Sequence, residues 1–178
     1  MNSVVRISGC IHESITDGPG IRLAIFCQGC LHACIHCHNP ETHDVLGGEL
    51  VTIDTLLASL DTNPLLDGIT ITGGEPLLQV QALTLLVERV HKKKPKEDFD
   101  IILYTGFIWE KIMTDKSKYI SLFERIDYLV DGPFIQSLKS YKFEFRGSSN
   151  QRIIDVQKSL LENNTYVLDT FPRKKVCV

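Results

Sequence analysis

The stretch Gly68-Ile69-Thr70-Ile71-Thr72-Gly73-Gly74-Glu75-Pro76 decides the fold. Its first residues form a β-branched run that opens on a glycine, the pattern of a short buried strand. A glycine pair then ends the run. Pro76 suits the first turn of a helix, where its missing N–H costs no hydrogen bond. Beyond it Val80, Leu83, Val87 and Val90 recur at helical spacing and predict an amphipathic helix. Strand, glycine corner and helix together make one β-α unit.

The same alternation extends outward. Leu23 to Phe26 reads as a strand, followed by a long loop rich in cysteine. Ile53, Leu56, Leu57 and Leu60 share a helical face, with Thr52 placed to cap it. Ile101 to Tyr104 is a strand, Met113 to Arg125 a helix, and Tyr128 to Val130 a strand again. Arg152 to Ile154 gives a last strand before a helix over Val156 to Glu162. This βαβα order predicts an α/β fold with a parallel sheet and right-handed crossovers. Such sheets place their sites at the carboxyl ends of the strands.

With 178 residues the chain is expected to form one domain, residues 1–178. That is short of the about 250 residues of a complete eight-fold barrel. A net charge of −3 gives no electrostatic case for nucleic acid. No stretch is apolar enough to span a membrane, and Met1 to Arg6 lacks a signal-peptide layout. The six cysteines are then expected to bind metal or stay reduced, in a cytoplasmic protein. The run His91-Lys92-Lys93-Lys94-Pro95-Lys96 reads as a solvated helix end, its cations facing the helix dipole before proline stops it.

The cysteine loop reads Cys30-Leu31-His32-Ala33-Cys34-Ile35-His36-Cys37. C-x3-C-x2-C supplies three thiolates where a closed structural metal site takes four. Soft thiolates favour iron–sulfur clusters or zinc, and three cysteines on a [4Fe–4S] cube leave one iron open. A zinc site completed by His32, His36, His38 or His43 is the competing reading. Cys27 extends the pattern to C-x2-C-x3-C-x2-C. As a fourth ligand it would close the cluster; the other reading packs it at a strand end as a small hydrophobe.

The cysteine spacing with Gly73-Gly74-Glu75-Pro76 downstream resembles the radical S-adenosylmethionine (SAM) enzymes. The resemblance implies a partial, laterally open (β/α) barrel. Cys30, Cys34 and Cys37 would hold one [4Fe–4S] cluster whose open iron binds SAM. It also implies that an electron cleaves SAM to methionine and a 5′-deoxyadenosyl radical. His36, Cys37, His38, Gly73, Gly74, Glu75, Thr105 and Asp131 stand where relatives border SAM. His36 takes the place of an aromatic near the adenine, strand-end carbonyls with Glu75 adjacent suit the ammonium, and Asp131 would meet a ribose hydroxyl or the ammonium.

Asp17-Gly18-Pro19-Gly20-Ile21-Arg22 predicts a type II turn with positive φ at Gly20. The same segment resembles one found in glycyl-radical activating enzymes. Phe145-Arg146-Gly147-Ser148-Ser149-Asn150-Gln151-Arg152 carries the likeness further, to activating proteins of anaerobic ribonucleoside-triphosphate reductases. That resemblance runs from about residue 9 to about residue 157. It implies a protein substrate, the large subunit of the reductase, and a flavodoxin-type electron donor. Arg146, Ser148, Asn150 and Arg152 become candidates for contact with partner or SAM, or else elements of a turn. An activator of pyruvate formate-lyase, a radical SAM synthase for a small molecule and a zinc-stabilised interaction module are the rival readings. Cys10 is expected in an early strand. The stretch 165–178, with Cys177, lies outside the motifs.

Overall fold

The computed structural model describes residues 4–94 and 99–172. Its centre is one eight-stranded sheet, in the order β3-β1-β2-β4-β5-β6-β7-β8. The strands are β1 Val4–Ser14, β2 Arg22–Cys27, β3 Glu49–Thr52, β4 Gly68–Gly73, β5 Asp100–Tyr104, β6 Tyr128–Asp131, β7 Arg152–Asp155 and β8 Val167–Leu168. β2, β4, β5 and β6 run parallel. Antiparallel strands flank them: β1 and β3 on one side, β7 and β8 on the other. The expected parallel sheet is therefore its middle four strands. The long connection from β6 to β7 contains no crossover helix, which is why β7 returns antiparallel. The sheet is open, with β3 and β8 as its edges.

Period-two alternation sorts the strand residues onto two faces. Leu23, Ile25, Ile69, Ile71, Ile101, Leu103, Leu129 and Ile154 belong to the large core beneath the helices. α2 (Val80–Lys93) lies between α1 (Ile53–Ser59) and α4 (Lys116–Phe123), and buries Val80, Leu83, Leu86, Val87 and Val90 there. Burying one such side chain stabilises by about 1.5–3 kcal/mol. The helix expected over Met113 to Arg125 is instead two pieces, α3 (Trp109–Met113) and α4, broken at Thr114 and Asp115. The break lets Trp109 stack on Phe123, with ring centroids 5.6 Å apart.

Local signals act as the sequence suggests. Thr52 caps α1 by accepting from the Thr55 N–H at 3.1 Å. His91, Lys92 and Lys93 fill the last turn of α2, while Pro95 and Lys96 lie outside the described residues. Gly20 takes a φ of 75°. Cys10 sits half-buried in β1, and Cys177 lies outside the described residues. Among the described residues no helix is long and apolar enough to cross a membrane.

The opposite face is closed differently. Ile102, Val130 and Ile153 are covered by Phe171, with Tyr104, Tyr128, Phe145 and Leu168 packed around them. The stretch left without a role in the sequence thus adds β8 and an aromatic plug. Arg22, fully buried at the amino ends of the strands, donates to Thr70 Oγ1 at 2.7 Å and pairs with Asp100 at 2.6 Å. The Asp-Gly-Pro-Gly-Ile-Arg segment thereby fixes that end of the sheet.

Candidate active site: a cysteine-lined cavity

A cavity of about 720 Å³ opens at the carboxyl ends of the parallel strands. That is within the range of small-molecule sites. Cys30, Cys34 and Cys37 line it, together with Gly73 and Gly74 after β4, Thr105 after β5, and His38. Phe26, Thr72 and Tyr104 reach it from the uncovered face of β2, β4 and β5. Arg146 and Gly147 approach from the β6–β7 loop, where Phe143 and Phe145 also border the space.

The two motifs are bonded to each other. The Gly74 N–H donates to Cys27 O at 2.8 Å, and the Glu75 N–H donates to Gly29 O at 2.7 Å. Gly73 has a φ of 97°, and a Cβ there would stand 2.7 Å from the Cys27 backbone. One on Gly74 would stand 2.4 Å from Gly29 O. The glycine pair is thus required by the close seating of the cysteine loop. Within that loop the Cys37 N–H bonds to Cys34 O at 3.1 Å, and the Asn39 N–H donates to Cys37 Sγ at 3.4 Å. Ala33 and His36 take left-handed conformations, with φ of 48° and 57°. Nothing in the sequence marks Ala33 for that region, whereas histidine is among the residue types enriched there.

Cys27 is fully buried in the large core, and burial pushes its thiol well above the ordinary range. It packs as a small hydrophobe and lies off the cavity wall. Burial also raises the Cys30 thiol, with the Glu75 carboxylate adding to the effect. Among the described residues no group of three or more His, Cys, Asp or Glu side chains is placed to hold a single metal ion.

Both expected carboxylates sit behind the cavity wall. Glu75 is 1% exposed and bonded to the Leu77 and Gly106 N–H groups, each at 2.9 Å. The Thr105 hydroxyl stands 2.9 Å from both of its oxygens. Asp131, fully buried, accepts from the Trp109 N–H at 2.7 Å and from Arg152 Nε at 3.0 Å. His36 is exposed and off the cavity lining, whereas His38 lines it and packs on Phe134 at 4.7 Å.

The Arg-Gly-Ser-Ser-Asn-Gln-Arg segment mostly braces its own loop. Ser148 accepts from the Ile135 N–H at 3.2 Å, and Asn150 donates to Pro133 O at 2.8 Å. Gln151 holds the Gly147 N–H at 2.8 Å. Arg152 does clamp carboxylates, but those of Asp131 and Glu110 in its own chain. Arg146 faces the cavity and donates to Asp169 O at 2.7 Å. Sequence reading weighed His32 and His43 as zinc ligands only, and it missed the aromatic wall of the β6–β7 loop. The alternation Tyr141, Phe143, Phe145 was the available signal for that wall.

The sequence profile of the 4Fe-4S single cluster domain matches residues 16–154. The anaerobic ribonucleoside-triphosphate reductase-activating protein of Enterobacteria phage T4 is 36% identical over 141 residues, 77% of this chain and 85% of its own. Proteins of that name from Vibrio cholerae and Escherichia coli are 37% and 36% identical, covering 78% and 77% of this chain and 90% of each relative. The crystal structure of QueE from Escherichia coli is similar over 58% of this chain and 53% of its own, at 19% identity and a TM-score of 0.41. The chain belongs to the 4Fe-4S single cluster domain family and, with relatives this similar over most of its length, to the anaerobic ribonucleoside-triphosphate reductase-activating proteins.

Proposed function

We propose that this chain is a radical SAM activase that installs a glycyl radical on the large subunit of an anaerobic ribonucleoside-triphosphate reductase. The observation that carries the reading is the direct bonding of the Gly73-Gly74-Glu75 corner to the root of the cysteine loop, with three thiols facing the cavity they share. The donor set fits a [4Fe–4S] cluster with one open iron. Three cysteines line the space, and Cys27, the only cysteine that could complete C-x2-C-x3-C-x2-C, is committed to the core. When bound, the cluster supplies one electron that splits SAM, and the resulting carbon radical takes a hydrogen atom from the partner's glycine.

The chain's own residues orient the reactants. Cys30, Cys34 and Cys37 hold the cluster. The backbone at Gly73 and Gly74, with Thr105 and His38, borders SAM. Glu75 and Asp131 act from behind the wall, by fixing the Thr105–Gly106 turn and the start of α3. No acid or base is required; catalysis rests on holding one carbon near one Cα–H bond. An open, partial-barrel sheet leaves the cavity mouth for an inserted glycine loop, which excludes water as it seats. A flavodoxin-type donor supplies the electron, and the protein works in the cytoplasm as one catalytic unit.

Anaerobically purified protein is expected to hold about four irons per chain, as one cube requires. The electron paramagnetic resonance (EPR) signal of the reduced cluster should change on adding SAM. Mixing with the reductase should produce a glycyl signal. C34A should abolish both cluster and SAM cleavage, and retention of either would overturn the reading. A glycyl signal only with pyruvate formate-lyase would reassign the partner.

A further inference from the structure

Glu75 collects donors from three places. The Leu77 N–H belongs to its own turn, and the Thr105 hydroxyl and Gly106 N–H come from the end of β5. The fourth donor is His32 Nε2, 2.7 Å from Oε2. A carboxylate at this contact accepts, so the ring presents Nε2–H. With four donors on two oxygens, the carboxylate has little left to offer a ligand's ammonium group.

His32 stands midway between Cys30 and Cys34, and it is the inward-facing side chain of that stretch. Its neighbour Leu31 is 76% exposed, and Ala33 on the other side is exposed too. The ring meets Phe107 edge-on, 4.6 Å between centroids. It also occupies the space beside Gly106, where a Cβ would come within 2.5 Å of it. The root of the loop is pinned by backbone bonds at Gly29 and Cys30. Its far part is pinned by this ring.

We propose that His32 is a positioning residue. Through Glu75 it fixes the Cys30–Cys34 segment against the Thr105–Gly106 turn and the Gly73–Gly74 corner, and so sets the gap between cluster and SAM. The inference rests on the reading of the cavity as a cluster-and-SAM site. A charge-assisted bond to a buried carboxylate is strong enough to hold such a register. The three cysteines can still hold the cluster without it.

Two variants separate hydrogen bonding from packing. H32F keeps a ring against Phe107 but has no donor; H32Q keeps a donor. The measurement is iron per chain and the EPR signal of the reduced cluster during SAM titration, beside the unaltered protein. H32F is expected to retain its iron yet need at least about tenfold more SAM for the same spectral change, while H32Q stays within about threefold. The proposal is overturned if H32F matches the unaltered protein, if H32Q is as impaired as H32F, or if both lose their iron. Should the unaltered protein itself show no response to SAM, the cluster-and-SAM reading fails and this inference fails with it.

Discussion

The two faces of the sheet are finished by different means. On one face, Leu23, Ile25, Ile69, Ile71, Ile101 and Leu103 meet the apolar stripe of α2, and helices supply most of the cover. On the other, Ile102, Val130 and Ile153 are covered by Phe171 from the carboxyl-terminal segment, with Phe145 of the β6–β7 loop beside it. The remainder of that face, at Phe26, Thr72 and Tyr104, is left as cavity wall. Regular elements make a face that needs nothing further. Irregular chain makes a face with room for a ligand, and ties the quality of the site to the packing of a loop and a tail.

A matched pair of truncations tests this contrast most severely. Phe171 is 3% exposed and packs edge-on against Tyr128 and Phe145 at 5.5 and 5.7 Å. F171A should cost about 3–5 kcal/mol, and L83A on the helix face about 2–5 kcal/mol, both read from denaturant midpoints. The difference lies in the site. Phe145 borders the cavity, its carbonyl accepts from Tyr104 Oη at 2.9 Å, and the adjoining Arg146 is tied to Asp169 O. F171A should therefore weaken SAM binding at temperatures where the protein is still folded, whereas L83A should not. Equal SAM affinity in the two variants would erase the distinction between the faces.

The same contrast explains what the sequence made legible. Helix stripes and alternating strands write the covered face directly: Val80, Leu83, Val87 and Val90 are where their spacing places them. The cysteine loop and the glycine corner were readable as neighbours, because both follow strands whose carboxyl ends meet at one edge of the sheet. The uncovered face was not readable. Phe171 belongs to no periodic pattern, Phe145 only to the short alternation from Tyr141, and their partners are distant in sequence. The roles of Glu75 and Asp131 were half legible. Their place at strand ends was evident, but whether a carboxylate meets ligand or protein depends on donors such as Gly106, Trp109 and Arg152, brought in by other strands.

Asp131 gives a smaller effect that sharpens the boundary between cavity wall and scaffold. It binds the first N–H of α3 and the Arg152 guanidinium of β7, so it joins three elements. D131N keeps one acceptor and loses the charge, for an expected cost of about 1–3 kcal/mol in denaturant unfolding. SAM affinity should change little beyond that. A loss of SAM binding with stability intact would move Asp131 from the scaffold to the ligand's contacts.

The smallest effect concerns Glu110, the outer partner of Arg152. Two hydrogen bonds from the guanidinium, at 3.0 and 2.8 Å, hold its carboxyl down to about 2 from an ordinary 4.5. A carboxyl depressed in the folded state binds fewer protons there than in the unfolded chain. Its contribution is thus complete above pH 4.5 and is lost as pH falls toward 2. The side chain is 52% exposed, so solvent screens the pair and its worth at neutral pH is under about 1 kcal/mol. E110Q should lower the denaturant midpoint slightly at pH 7, with the gap to the unaltered protein narrowing between pH 4.5 and pH 2. A gap that stayed constant through that window would mean that Glu110 acts through packing and its bond to Thr165, with Arg152 held in place by Asp131 alone.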